Sequence, residues 1–198
     1  YADRMIRSTL DHIGNGKSWE LNRRNGGLLI NSPSYTSDGT LSEIETYYDT
    51  IRYFEDHPSD YIYIKNPMYI NKVDITDAKE TMDSNDLDCL VFSSKTVDKD
   101  GYYLNRKIIS SDEEGKPCSV GLNLGMSEDI DLFLGSIMIK RDLFLRILRT
   151  AMERNSQMSL LNAIFSFAGD VNIDFYRHNK EFEIISDINS FFEANMKL

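Results

Sequence analysis

The feature that most restricts the fold is the alternation of helix-like and strand-like segments along the chain. Residues 60–65 and 87–93 are rich in β-branched, aromatic and other apolar side chains, which is typical of strands in a buried sheet. Elsewhere, apolar residues recur at the three- and four-residue spacing of helices with one buried face. This alternation predicts an α/β domain. Because no Gly/Ser linker or repeat divides the 198 residues, we expect a single domain.

The helical segments are marked by their caps and by their apolar faces. Thr40 and Glu43 fit a capping box at the start of the first helix. A short helix is predicted over 76–85, and the segment MSLLNAIFSFAG predicts a helix that ends at Gly169. The final segment, DINSFFEANMKL, predicts a helix with Asp187 as its N-cap. The helix after residue 140 has four inward-facing residues, Leu143, Ile147, Leu148 and Ala151.

Further strands are predicted in the second half of the chain. Residues 101–123 read as two antiparallel strands around a turn at 112–117, where Gly and Pro follow three acidic residues. Residues 133–140 predict a strand that leads directly into the long helix. The segments VNIDFYRH and KEFEII flank a predicted tight turn at Asn179.

Composition narrows the classes of partner. With 41% hydrophobic and 27% charged residues, the chain can bury a sizeable core. Its net charge of −10, from 32 acidic and 22 basic residues, repels phosphate backbones, so no nucleic-acid partner is expected. Cys89 and Cys118 lie far apart, which favours a reduced, cytoplasmic setting over a disulfide framework. No apolar run approaches the ~20 residues of a membrane span, so no membrane partner is expected.

Few motifs carry chemistry by themselves. The stretch RRNGGLLI holds the glycine pair Gly26–Gly27 behind two arginines. Glycines let a phosphate approach the backbone, but such a pair is more typical of a turn before a strand. The sequence contains no Walker A, GxGxxG or GxSxG pattern. The histidines lack an HExxH-type partner, which favours surface or capping positions for His12, His57 and His178. The residues alone therefore indicate an α/β domain without a self-evident catalytic group.

Three stretches of the chain resemble one known family and occur in the family's order. They are DHIGNGKSWELNRRNGGLLI (11–30), DGTLSEI (38–44) and SFFEANMKL (190–198). They are similar to the catalytic domain of bacterial glucose-1-phosphate adenylyltransferase, also called ADP-glucose pyrophosphorylase. The resemblance implies a Rossmann-like nucleotidyltransferase domain with a mixed, mainly parallel sheet. It also implies the family reaction, in which ATP and glucose 1-phosphate give ADP-glucose and pyrophosphate with Mg²⁺, in glycogen biosynthesis.

The resemblance also implies which part of the family's domain this chain represents. The family's Gly-rich phosphate loop would precede residue 1, and its C-terminal β-helix would follow Leu198. Residues 1–198 are therefore expected to form one nucleotidyltransferase-like domain that is truncated at both ends. A first residue other than Met agrees with this expectation.

Three positions depart from the family's catalytic pattern. Aligning Ile70, Lys72 and Asp74 with the family's strand end places Met68 where the family has a metal-binding Asp, and counting back from 191–195 places Ile184 at the second. The family's sugar-phosphate lysine should fall within 118–123, which reads CSVGLN. Met and Ile offer no hard oxygen ligand for Mg²⁺. The resemblance therefore predicts an inactive chain that binds no metal or cofactor.

The surrounding glycines do match the family. Gly26 and Gly27 match its GGL motif, Gly39 and Thr40 match its turn near the nucleobase, and Gly135 matches a glycine beside the sugar. These five residues are weak candidates for contacts to ATP, ADP-glucose or glucose 1-phosphate.

Three functions remain open from the sequence. The first is a cytoplasmic, non-catalytic subunit of ADP-glucose pyrophosphorylase that forms a hetero-oligomer with a catalytic subunit and modulates it. The second is an active but diverged sugar-phosphate nucleotidyltransferase. The third is a nucleotide-sugar sensor.

Overall fold

The computed structural model describes residues 11–13, 17, 29–31, 34–35, 39, 41–167 and 169–197. Its strands are β1 (Ser34–Tyr35), β2 (Leu41–Ser42), β3 (Tyr61–Lys65), β4 (Tyr69–Asn71), β5 (Cys89–Val97), β6 (Lys107–Ser111), β7 (Pro117–Leu122), β8 (Asp129–Lys140), β9 (Ile173–Arg177) and β10 (Phe182–Ile184). Its helices are α1 (Glu43–Tyr48), α2 (Ile51–Asp56), α3 (Ile75–Ser84), α4 (Arg141–Arg154), α5 (Leu160–Phe165) and α6 (Ile188–Lys197). The chain divides into two compact units, Tyr1–Asp60 with Arg141–Ile164, and Tyr61–Lys140 with Phe165–Leu198.

The first unit is held together by an aromatic cluster between α1, α2 and α4. The Phe144 ring meets the rings of Tyr47 and Phe54 edge-on, with centroids 5.6 and 5.1 Å apart. Such edge-to-face pairs add about 0.5–1.5 kcal/mol each beyond their buried area. The four residues of α4 predicted to face inward, Leu143, Ile147, Leu148 and Ala151, are all buried.

Two helix boundaries differ from the sequence predictions. The helix expected to start at Thr40 begins at Glu43, and its N-cap is Ser42, whose hydroxyl accepts a hydrogen bond from the Glu45 backbone N–H. Ser42 and Glu45 have the same capping-box spacing as Thr40 and Glu43. The helix therefore begins at the second of two equivalent capping-box patterns. The helix expected to end at Gly169 ends four residues earlier, at Phe165.

The second unit is built on a six-stranded mixed sheet. Five of its strands follow the order β7-β6-β8-β5-β9. The sixth, β3, pairs with β8 over 136–140, while β6 pairs with β8 at Leu132. β3, β5 and β9 run in one direction, with β8 antiparallel to β3 and β5 between them. The expected α/β class and mixed sheet are thus confirmed. The expected predominance of parallel pairing is not seen among the described strands, because β8 separates β3 from β5 and only β5–β9 is parallel.

A two-stranded antiparallel ribbon of β4 and β10 accompanies the sheet, with Tyr69 opposite Ile184. The strands flanking Asn179 therefore do not pair with each other, since β9 joins the large sheet and β10 joins the ribbon. α3 and α6 have aspartate caps, as expected for Asp187: Asp74 accepts from the Thr76 and Asp77 N–H groups, and Asp187 accepts from Ser190 N–H.

The core of the second unit lies between one sheet face, α3 and the ribbon. Its buried members are Tyr69, Ala78, Met82, Leu87, Leu90, Phe92, Ile130, Leu132, Leu134, Met138 and Ile184. His178, which we expected at the surface or in a cap, is buried directly after β9, and its backbone N–H donates to the Ser93 carbonyl. No helix within the described ranges is long and apolar enough to cross a membrane.

Candidate functional site

The candidate site lies in the second unit, where the chain leaves β3. Asn66 and Pro67 form a tight turn in which Tyr69 N–H donates to the Asn66 carbonyl at 3.2 Å. The Asn66 side chain accepts from Met68 N–H at 2.9 Å. Asn at the first position and Pro at the second are the residues that such a turn favours, because both stabilise its backbone geometry. The turn redirects the chain from the large sheet into the ribbon.

The turn is tied to the neighbouring strands by backbone hydrogen bonds. Asn66 N–H donates to the Gly135 carbonyl at 2.7 Å, and Ile185 N–H donates to the Met68 carbonyl at 2.8 Å. β8 and the end of β10 therefore both meet the turn. We call the residues gathered here the strand-end cluster: Asn66, Met68, Tyr69, Arg106, Gly135, Ile184, Ile185 and Ser186.

The two positions aligned with metal-binding aspartates lie close in the fold but present different environments. Met68 is 43% exposed, whereas Ile184 is 4% exposed and belongs to the apolar core. The residue whose backbone meets Met68 is Ile185, one residue further on. The thioether of Met68 and the aliphatic side chains of Ile184 and Ile185 offer no oxygen ligand. They therefore do not fit Mg²⁺, which prefers carboxylate and water oxygens.

The nearest aspartates by sequence serve as helix caps. Asp74 Oδ1 accepts hydrogen bonds from Thr76 N–H at 2.9 Å and Asp77 N–H at 3.2 Å. The backbone N–H of Ser190 and its hydroxyl hold the pKa of Asp187 below its usual value. Within the part of the chain that the structure describes, no group of three His, Cys, Asp or Glu side chains is arranged to hold a metal ion.

Gly135 is the point of closest approach in the cluster. Its φ of +67° lies in the left-handed region, and a Cβ there would be 2.5 Å from Tyr69 Cδ2. Only a glycine accepts both the backbone conformation and the ring without rearrangement. The Tyr69 ring thus packs directly on the backbone of β8 and fills the space above Gly135.

Arg106 lies within electrostatic range of the Tyr69 hydroxyl. The guanidinium donates a hydrogen bond to Ser186 Oγ, and its charge acts on the Tyr69 hydroxyl. Burial raises the pKa of the Tyr69 hydroxyl, and the Arg106 charge acts in the opposite direction. Lys65, at the end of β3, donates to Asn71 Oδ1 at 2.7 Å, and burial lowers the pKa of its ammonium group. The side chains of Arg106 and Lys65 therefore both bind other groups of the protein.

The segment expected to carry a sugar-phosphate lysine ends in a buried amide. Asn123 is 2% exposed, and its Nδ2 donates to Asp98 Oδ2 at 2.7 Å and to the Tyr103 carbonyl at 3.1 Å. Its Oδ1 accepts from Gly125 N–H at 3.0 Å. This side chain joins two loops and is not directed at a ligand.

Of the remaining predicted contact residues, the structure describes only Gly39. Gly26, Gly27 and Thr40 lie outside the described residues. Gly39 is described in the first unit, with a φ of +82° and open space where a Cβ would stand. Tyr69 and Arg106 were not identified from the sequence. Tyr69 follows the aligned Met68 directly, but nothing in the sequence pairs it with Gly135 or Arg106.

Comparison with known proteins supports the fold. No protein-family model matches the chain, and no curated protein matches it. The crystal structure of HddC from Yersinia pseudotuberculosis superposes with a TM-score of 0.65 at 12% identity, over 98% of this chain and 74% of that chain. A putative glucose-1-phosphate thymidylyltransferase from Bacillus anthracis, in complex with a sucrose, superposes with a TM-score of 0.68 at 8% identity, over 99% and 73%. The chain therefore has the expected nucleotidyltransferase-like α/β fold.

Proposed function

We propose that this chain is the nucleotidyltransferase-fold part of a non-catalytic subunit that modulates a related catalytic subunit. Among sugar-phosphate nucleotidyltransferases, the sequence resemblance selects the ADP-glucose pyrophosphorylase of glycogen biosynthesis, which is a cytoplasmic enzyme. One solved structure of similar fold is a putative glucose-1-phosphate thymidylyltransferase, which fits the broader class.

The observation that carries the proposal is the packing of Tyr69 on Gly135. In the family, the glycine that matches Gly135 lies beside the sugar. Here the space above that glycine holds the aromatic ring of Tyr69. A sugar at this position would have to displace a side chain that is 8% exposed and part of the core. The apolar burial of that ring therefore opposes substrate binding.

The donor set at Met68 and Ile184 supports the same proposal. Nucleotidyl transfer depends on neutralising the charge that develops on the phosphates, and hard oxygen ligands are what hold Mg²⁺ for that purpose. Met68 has a soft sulfur, Ile184 is buried hydrocarbon, and the nearby aspartates cap helices.

A paired assay of the full-length protein tests the proposal. Pyrophosphorolysis of ADP-glucose is measured with the protein alone, with an intact catalytic subunit from the same cells, and with both together. We expect no turnover from the protein alone and a changed rate or effector response from the mixture. Turnover on the order of 1–10 per second from the protein alone would instead support a diverged enzyme. Heat on titration with ADP-glucose, together with an unchanged partner, would favour a nucleotide-sugar sensor.

A further inference from the structure

Strand β3, which leads into the candidate site, has a neighbouring strand on one edge within the described part of the chain. It pairs antiparallel with β8, with Tyr63 opposite Met138 at the centre of the register. Among the described strands, β8 is its one partner. We call the opposite edge of β3 the open edge, because no described strand pairs with it.

The hydrogen bonds at the two ends of β3 show which backbone groups face the open edge. Arg141 N–H donates to the Asp60 carbonyl at 2.8 Å, and Asn66 N–H donates to the Gly135 carbonyl at 2.7 Å. Residues of an antiparallel pair alternate between those that bond to the facing strand and those that do not. The even-numbered residues of β3 therefore bond to β8, and the odd-numbered residues direct their N–H and C=O groups to the open edge.

The hydrogen bonds of β8 follow the same alternation. Lys140, which lies opposite the odd-numbered Tyr61, donates its N–H away from β3, to the Asp88 carbonyl at 2.9 Å. Tyr63 and Lys65 are also odd-numbered residues of β3. Their N–H and C=O groups therefore point to the open edge.

Both faces of β3 carry large apolar side chains that are only partly buried. Tyr61 and Tyr63 pack against the core of the second unit. Ile62 and Ile64, which alternate with them and so point to the opposite face, are half-buried as well. Apolar side chains on both faces are typical of a strand inside a sheet, whereas edge strands are short or carry charged residues or proline. β3 thus has the side chains of an interior strand at a position where the described sheet gives it a single neighbour.

The far end of the sheet shows how this chain protects an edge. β9 ends the strand order, and His178 N–H donates to the Ser93 carbonyl of β5. By the same alternation, Phe175 N–H points away from β5, and the Asp174 carboxylate accepts it at 2.7 Å. Such capping by an acidic side chain discourages pairing with another strand. β3, with the sequence YIYIK, has no acidic residue or proline to act in this way.

The geometry of the open edge limits what can cover it. Its backbone groups bond to an extended strand, and its partly buried tyrosine and isoleucine side chains require that strand to be apolar on both faces. A second copy of this chain, with a net charge of −10, would be repelled at close approach. A segment of the same polypeptide is instead held near the edge at high effective concentration. The two solved structures of similar fold do have further residues, since this chain covers 74% and 73% of them.

We infer that the open edge of β3 takes an apolar strand from a segment of the same polypeptide outside residues 1–198. Whichever direction that strand runs, one of its ends lies beside Asn66, where β3 ends. The loop at that end then adjoins the strand-end cluster, where Met68 is 43% exposed. Ligands of open α/β sheets bind at such strand ends, so the segment adds residues to the candidate site. The inference concerns the assembly of the sheet and does not depend on the proposed function.

Amide hydrogen exchange of the full-length protein, resolved by residue with NMR, tests the inference. The Ile62 and Ile64 amides bond to β8 and serve as controls within the same strand. We expect the Tyr63 and Lys65 amides to exchange within about tenfold of these controls, because an added strand protects both edges alike. In the 198-residue chain alone, we expect the same two amides to exchange about 100-fold faster than the controls.

Other results contradict the inference in distinguishable ways. If the Tyr63 and Lys65 amides of the full-length protein exchange about 100-fold faster than the controls, no strand covers the open edge. If they are protected in a dilute solution of the 198-residue chain as well, a segment within 1–198 covers the edge and the inferred occupant is wrong. If that protection appears only as concentration rises, together with a dimer in sedimentation, the occupant is a second copy. Modulation of the catalytic subunit is measured separately, so the proposed function stands or falls on its own assay.

Discussion

The ring of Tyr69 lies against the backbone of Gly135, and a Cβ at residue 135 would stand 2.5 Å from Tyr69 Cδ2 and 3.0 Å from Cε2. The two residues are on different strands, β4 and β8, that belong to different sheets. A glycine therefore lets the ribbon approach the large sheet at the end of β3. The Tyr69 ring also fills the space above Gly135, where the family's sugar would lie. The proposed loss of catalysis depends on this packing.

Gly135→Ala should destabilise the protein strongly. The left-handed φ costs a non-glycine residue about 1–2 kcal/mol, and overpacking against the ring adds about 1–3 kcal/mol. Gly115→Ala is the matched control, because Gly115 has a φ of +80° but open space around a Cβ. Urea unfolding should show a loss of about 1 kcal/mol for Gly115→Ala and at least twice that for Gly135→Ala. Equal losses would mean that the ring yields without cost.

The sequence predicts well those features whose cause is local. The inward residues of α4 were identified because helical periodicity is set by neighbours three and four positions away. The Asp187 cap was identified for the same reason, since an N-cap acts on residues two or three positions ahead. The position of α1 was missed only because Ser42 and Thr40 both begin capping-box patterns.

The rest depends on contacts between residues far apart in sequence. Nothing near Asn179 reveals that β9 pairs with β5 while β10 pairs with β4. The Tyr69–Gly135 contact and the Arg106–Ser186 hydrogen bond likewise join segments that only the tertiary fold brings together. The sequence alignment could mark Met68 and Ile184, but burial of Ile184 and exposure of Met68 follow from the strand pairing.

Met68→Asp should not give Mg²⁺-dependent turnover in the full-length protein. The substitution returns one carboxylate, while the second aligned position, Ile184, remains buried hydrocarbon and the Tyr69 ring still covers Gly135. Groups that act as a unit in catalysis are strongly non-additive, so one of them restores little. The measurement is ADP-glucose synthesis with and without Mg²⁺, using Met68→Leu as the control. Metal-dependent turnover in the single variant would contradict the proposed function.

Ile184→Asp should either unfold the protein or leave the new carboxyl group protonated. The side chain is fully enclosed in the core, where an unpaired carboxylate costs several kcal/mol. We expect a large fall in thermal stability at pH 7 that is partly recovered at pH 4. Ile185→Asp, one residue further along and half-buried, is the control and should lose much less stability.

Asp98→Ala should cost about 2–4 kcal/mol, because it leaves the N–H of Tyr103 and the amide of Asn123 without their buried acceptor. Asp100→Ala, on the same loop but exposed, should change stability by about 0.5 kcal/mol or less. Chemical denaturation of both variants checks the difference. If the two variants lost the same amount, the network would not be what orders these loops.

The cap of α6 should make the protein sensitive to acid. Hydrogen bonds from Ser190 hold the folded pKa of Asp187 below its unfolded value of about 3.9, so the folded state favours the carboxylate. The resulting stabilisation is complete above the unfolded pKa and is lost as pH falls through the folded pKa. Asp187→Asn keeps an N-cap acceptor but cannot ionise. The wild-type protein should therefore be more stable than Asp187→Asn at pH 6, and the difference should vanish toward pH 2–3. Urea midpoints measured across that range test the sign, and a difference that grows as pH falls would show that the charge of Asp187 does not stabilise α6.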